Sequence, residues 1–79
     1  MKLWQTKELS TLAHVSVRTL HYYDKIDLLK PSIRQSNNYR FYSEKDLLRL
    51  QQIVALKFFG FDLEQIRLIL ASQKDVGLL

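Results

Sequence analysis

At 79 residues, 47% of them hydrophobic, the chain has room for one small domain with a single core. It has no cysteine, which excludes disulfides, thiolate metal ligands and a cysteine nucleophile, and which fits a cytoplasmic protein. The net charge of +4 sits wholly in residues 1–42, where seven basic side chains face three acidic ones, while residues 43–79 balance five against five; a polyanion is therefore drawn to the first half.

Four helices can be placed in chain order by one repeated device, an apolar residue just before a polar cap that packs on the apolar residue five positions later. Trp4, Gln5 and Leu9 open the first helix, with Glu8 at its third position, although Gln is a poor cap. Val15, Ser16 and Leu20 open the second. Only His14 and Val15 separate these two helices, which predicts the steep crossing of a helix-turn-helix, with His14 in a left-handed or bridge conformation. Asp27, after the second helix, is expected to behave in the same way.

From Pro31 to Tyr42 the pattern changes to two short extended runs, Ser32 to Arg34 and Tyr39 to Tyr42, around the turn formers Ser36, Asn37 and Asn38. This predicts a small β-hairpin. Tyr42, Ser43 and Leu47 then open the third helix, Glu44 to Phe59, whose apolar residues surround most of its circumference and predict burial on several sides. Gly60 stops it as a left-handed cap. Phe61, Asp62 and Ile66 open the fourth, with Gln65 completing a capping box and Leu63, Ile66 and Leu70 facing inward. Leu68 and Ile69 are left over, and this surplus apolar surface calls for a missing neighbour. So does the size of the chain, since below roughly 80 residues a core without staples seldom leaves more than about 3–5 kcal/mol of stability.

At about 100° per residue, Val17, Leu20 and Asp24 share one side of the second helix, with Tyr23 at its edge. That side is expected to pack under Leu9, Leu12 and Ala13, while Arg18, Tyr22 and Lys25 face outward. A recognition helix presents its first turns to base edges in the major groove, which makes Ser16, Arg18 and Thr19 the candidate base contacts. The Arg18 guanidinium suits guanine O6 and N7, a pairing worth about 1–3 kcal/mol of discrimination. Tyr22, Tyr23, Tyr39, Arg40 and Lys57 are candidate backbone contacts, because hydroxyls and cations bond phosphate oxygens and fix register. Tyr23 serves equally well as a core residue, and Lys57 as a solvated surface lysine.

No catalytic site can be assembled, since the carboxylates are scattered over helix starts and turns without a nucleophile and a partnered base. His14 and His21 lack further ligands at metal spacing, so neither a metal nor a cofactor is expected. No clean apolar run exceeds four residues, as in Ile53 to Leu56, far short of the roughly 20 residues that span a bilayer, and residues 1–10 have no apolar stretch of the signal-peptide kind. The expectation is a soluble chain with no membrane partner.

The run Val15-Ser16-Val17-Arg18-Thr19-Leu20-His21-Tyr22-Tyr23-Asp24, continuing through Leu28-Leu29-Lys30-Pro31, resembles the MerR family of transcriptional regulators. Tyr39-Arg40-Phe41-Tyr42-Ser43 is similar to the family's wing return and third-helix cap, and Gly60-Phe61-Asp62-Leu63-Glu64-Gln65-Ile66 to the start of its fourth helix. His14 and Asp27 depart from it, standing where members often carry Gly. The resemblance covers residues 4 to about 70 and implies binding to double-stranded promoter DNA as a homodimer. It also implies distortion of that DNA so that RNA polymerase can engage it, and dimerisation through a long C-terminal helix absent here.

The expected fold is mainly α, a winged helix-turn-helix with four helices and a small β-hairpin wing. Residues 1–70 form the DNA-binding domain, and residues 71–79 begin the missing dimerisation helix or a tail. Two other readings stand beside this one: an excisionase-like architectural protein that bends DNA for recombination, and a helical protein-interaction module with incidental charge.

Overall fold

The computed structural model describes residues 2–76, with side chains through residue 73. Its elements run β1 (Leu3–Gln5), α1 (Thr6–Ala13), α2 (Val17–Lys25), β2 (Ile33–Arg34), β3 (Arg40–Ser43), α3 (Glu44–Phe58) and α4 (Leu63–Val76). The four helices and the hairpin stand where the caps place them. Gln5 and Glu8 close a capping box on α1, Ser43 and Asp46 on α3, and Asp62 and Gln65 at the start of α4. Ser16 accepts the Thr19 N–H at 2.9 Å to start α2.

Three helices end in one way. His14 (φ 59°), Asp27 (φ 62°) and Gly60 (φ 100°) are left-handed, and the next amide bonds back five residues, Val15 to Ser10, Leu28 to Tyr23 and Phe61 to Leu56. These reverse bonds satisfy carbonyls that the helices leave open.

The sheet is larger than the hairpin predicted from sequence. β1 adds a third strand, antiparallel to β3 and pairing Leu3 with Ser43, Trp4 with Tyr42 and Gln5 with Phe41, in the order β1-β3-β2. The residues read only as the lead-in to α1 are therefore also a strand, which places the hairpin against the start of the helix-turn-helix.

The core is built from Leu9 of α1, Leu20 and Tyr23 of α2, Leu28 and Leu29 of the following loop, Tyr42 of β3, Leu50 and Ile53 of α3, and Ile66 and Leu70 of α4. Fully burying a Leu or Ile side chain contributes roughly 1.5–3 kcal/mol, so this set is the main source of stability. Two packing expectations need correction. Leu12 is half exposed, because Ala13 takes the inward position one turn after Leu9 and packs on the core in its place. α3 buries a single stripe, Leu50 and Ile53 flanked by Leu47 and Leu56, and leaves Leu48, Val54, Phe58 and Phe59 in solvent, the last two at 84% and 74% exposure. α4 runs through the expected domain boundary at residue 70 without a break as far as Val76; residues 77–79, where the expected tail ends, lie outside the described residues. None of the helices among the described residues is long and apolar enough to cross a membrane.

Candidate nucleic-acid interface

The outer side of α2 carries Arg18, Tyr22 and Lys25, all exposed, while Leu20, Tyr23 and Asp24 are buried behind them. Arg18 is in the first turn and has no ion-pair partner among the described residues, so its full set of guanidinium donors faces outward. Ser16 is tied more closely than its candidacy suggested. Its oxygen accepts from the Thr19 amide and its hydroxyl donates to Thr19 Oγ1 at 2.8 Å, so the hydroxyl proton left free is that of Thr19.

Ser16, Thr19, Tyr22, Tyr23 and Lys57 line one cleft, floored by Val15, Val54 and Leu63, between the start of α2 and the end of α3. The structure thus brings together five of the candidates from two distant stretches of sequence. Tyr23 is 4% exposed, and desolvation raises the pKa of its phenol. Its ring belongs to the core, and only its rim reaches the cleft. Lys57 is exposed at the cleft edge.

The hairpin carries Tyr39, 57% exposed beside its tip, where Asn38 takes a left-handed conformation (φ 69°). A second, polar cleft joins this wing to the helices, lined by Tyr39, Arg40 and Asn38 of the wing, His21 of α2, and Thr6 and Lys7 of α1. Lys7 was not among the candidates. Its only sequence signal was membership of the basic first half, and β1 is what carries it to the wing.

Arg40 is the wing candidate most engaged within the chain. It is not a free wing cation; its Nε donates to Asp24 Oδ2 at 2.9 Å, and its Nη1 lies 3.4 Å from His21 Nε2. Arg34 Nη2 donates to the same Asp24 oxygen at 2.7 Å, and Lys30 Nζ to Oδ1 at 3.1 Å. Burial by itself would raise the Asp24 pKa, but the hydrogen bonds from Arg34, Arg40 and Lys30 outweigh it and bring the group from its ordinary 3.8 to about 2. Asp27 and Asp24 in turn hold the Lys30 ammonium above the ordinary lysine value. Two carboxylates, Asp24 and Asp27, among three cations leave this cluster with one excess positive charge at the junction of α2 and the wing.

The loop after α2 is held from behind. Arg49 Nε donates to the Leu28 carbonyl, and Arg67 donates to the carbonyls of Ile26 and Asp27. The outer side of α2, the Thr19 hydroxyl, Lys57 and the wing are thereby arranged on a common frame, a layout that suits a helix in a groove with flanking phosphate contacts.

Comparison with known proteins identifies the family. The model of the MerR helix-turn-helix family of regulatory proteins matches residues 5–73. The chain belongs to the MerR family. Among curated MerR relatives, it is 48% identical over 64 residues to the HTH-type transcriptional activator mta of Bacillus subtilis, an alignment covering 81% of this chain and 25% of that protein. A MerR-family transcriptional regulator from Bacillus cereus superposes with a TM-score of 0.85 at 43% identity, covering 89% of this chain and 52% of the other. HiNmlR, a MerR-family regulator lacking the sensor domain and bound to promoter DNA, superposes with a TM-score of 0.77 at 29% identity, covering 86% of this chain and 54% of that one. The chain spans about a quarter of the length of the curated MerR relatives it matches.

Proposed function

We propose that this chain is the DNA-reading part of a cytoplasmic transcriptional regulator that binds promoter DNA as a homodimer and distorts it to control engagement by RNA polymerase. The observation that carries this reading is the first turn of α2, where an outward, unpaired Arg18 stands beside the hydroxyl pair of Ser16 and Thr19. Arg18 reads a guanine edge through two parallel N–H donors, and Thr19 donates its free hydroxyl proton to a base or phosphate acceptor. Ser16 acts mainly by holding Thr19 in place.

Tyr22 and Lys57 bond the phosphates bordering the groove, with the rim of Tyr23 beneath them, and Tyr39 and Arg40 bond the backbone beyond. The partner copy covers apolar surface that α3 and α4 leave open, including Leu48 and Leu68. Residues 71–79 lead towards the dimerising segment. Likeness to HiNmlR, whose structure holds promoter DNA, supports the DNA-binding part of this reading. Selection from random duplex DNA tests it: an inverted-repeat consensus is the expected outcome, and enrichment of no motif would refute sequence-specific binding.

A further inference from the structure

The buried Asp24 is unusual for its position. It stands on the inward side of the recognition helix at 5% exposure, where an apolar residue would complete the stripe begun by Val17 and Leu20. An ionised group there is costly unless it is paired, and its partners reach it from two strands and a loop.

Arg34 and Arg40 are directly opposite each other in the β2–β3 register. Like charges opposite one another destabilise a strand pair, and β2 has only two residues with which to hold itself in place. Both guanidiniums converge on Asp24 Oδ2, at 2.7 and 2.9 Å, which turns the repulsion into a shared attachment. The base of the wing has a separate tether, Ser32 to Asp46. Nearer the tip, the clasp on Asp24 is the ion-paired link from wing to helix among the described residues.

Each guanidinium has five N–H groups, so fixing one edge leaves others free. The side chains of Arg34 and Arg40 keep 40% and 24% of their surface exposed. We propose that Asp24 is a positioning residue: its carboxylate locks Arg34 and Arg40 to the recognition helix, so that their remaining N–H groups meet the phosphates flanking the bases that the helix reads. This rests on the DNA-binding reading above and extends it to a coupling between helix and wing.

The sign of one substitution separates positioning from simple charge. Asp24→Asn raises the net charge from +4 to +5, and if charge alone governed binding, the variant would bind a selected duplex more tightly with a steeper salt dependence. Positioning gives the reverse: affinity about tenfold lower, a log–log salt slope shallower by about one to two phosphate contacts, and loss of flanking backbone protection, while base preference under α2 is kept.

Amide hydrogen exchange of the DNA-free chain supplies the second readout. In the Asn variant, the wing amide of Gln35, bonded to the Tyr39 carbonyl, is expected to exchange faster, with α3 amides unchanged. Equal or tighter binding by Asp24→Asn, or unchanged wing exchange, overturns the proposal. Asp24→Glu keeps the charge and moves the carboxylate by one methylene. It carries the same test if the Asn variant does not fold, with a smaller loss of affinity and faster wing exchange expected, and wild-type behaviour in both overturning the proposal. Should the wild-type chain select no duplex, the DNA-binding reading fails, and the exchange measurement alone decides whether Asp24 holds the wing.

Discussion

Arg49 Nε on α3 donates to the carbonyl oxygen of Leu28 at 2.8 Å, a contact between residues 21 positions apart that fixes the exit of the recognition helix. Arg67 on α4 does the same for Ile26 and Asp27. Two of the five basic residues in the electrically neutral half of the chain therefore have a structural role. A hydrogen bond from a charged donor contributes roughly 1.5–3 kcal/mol, so Arg49→Met is expected to lower unfolding stability by about that amount. Urea denaturation measures it; a loss below about 0.5 kcal/mol would show that the contact carries little.

Arg18 and Lys57 are expected to fail differently. Arg18→Ala should cost about 1–3 kcal/mol of binding and relax preference at one base position of each half-site. Lys57→Ala should weaken binding to all duplexes alike and reduce the salt slope by about one. Parallel selections with the two variants distinguish them, and an unaltered consensus for Arg18→Ala would remove it as a base reader.

Acid stability follows from Asp24. Its folded pKa, about 2, lies below the ordinary 3.8, so the unfolded chain binds the proton more readily. The stabilisation is present at neutral pH and disappears as the pH falls from roughly 5 to about 1. Its size is about 2 kcal/mol for a shift of that order. Wild type should lose this increment across that window, and Asp24→Asn should show a flatter profile. Parallel profiles would assign the acid sensitivity to other carboxylates.

The left-handed positions allow a paired test. His14 holds φ 59° and Gly60 φ 100°, with nothing within 4 Å of where a Cβ on Gly60 would stand. The strain of Gly60→Ala is thus purely conformational, and a loss of about 1–2 kcal/mol is expected. His14→Gly relieves the same kind of strain and should be neutral or stabilise by up to about 1 kcal/mol, offset in part by unfolded-chain entropy. Thermal melts of both variants check the pair, and a destabilised His14→Gly would mean that the imidazole has contacts worth more than the strain.

What was legible in the sequence was local. Caps such as Ser16 with Thr19, or Asp62 with Gln65, act over three residues, and the left-handed exits at His14, Asp27 and Gly60 concern one residue's backbone. The same scale covers the outward set Arg18, Tyr22 and Lys25, since helical phase places them without knowledge of the fold. β1 escaped because three residues carry almost no strand signal and their partners lie some 40 positions away. Asp24 could be placed on the inward side of its helix, yet nothing in helical phase shows that Arg34 and Arg40 will arrive from strands to meet it. The half-exposed Leu12 and the open face of α3 were missed because apolar pattern reports a preference for burial, while the other elements decide whether a neighbour is present.

The pairing of Leu3–Gln5 with Phe41–Ser43 also bears on the order in which the molecule assembles. Contacts within α1–α2 and α3–α4 close short loops, whereas joining β1 to β3 closes one of nearly 40 residues and meets the larger entropic barrier. The helices and the β2–β3 hairpin should therefore form first, and the docking of β1 on β3 should follow. Trp4, the sole tryptophan, sits in β1 and reports the late step, so its fluorescence should recover after the helical circular dichroism in a refolding experiment. Because β3 is also the strand that carries the wing, the docking of Leu3–Gln5 gives the arm a further anchor beside those it has on Asp24 and Asp46.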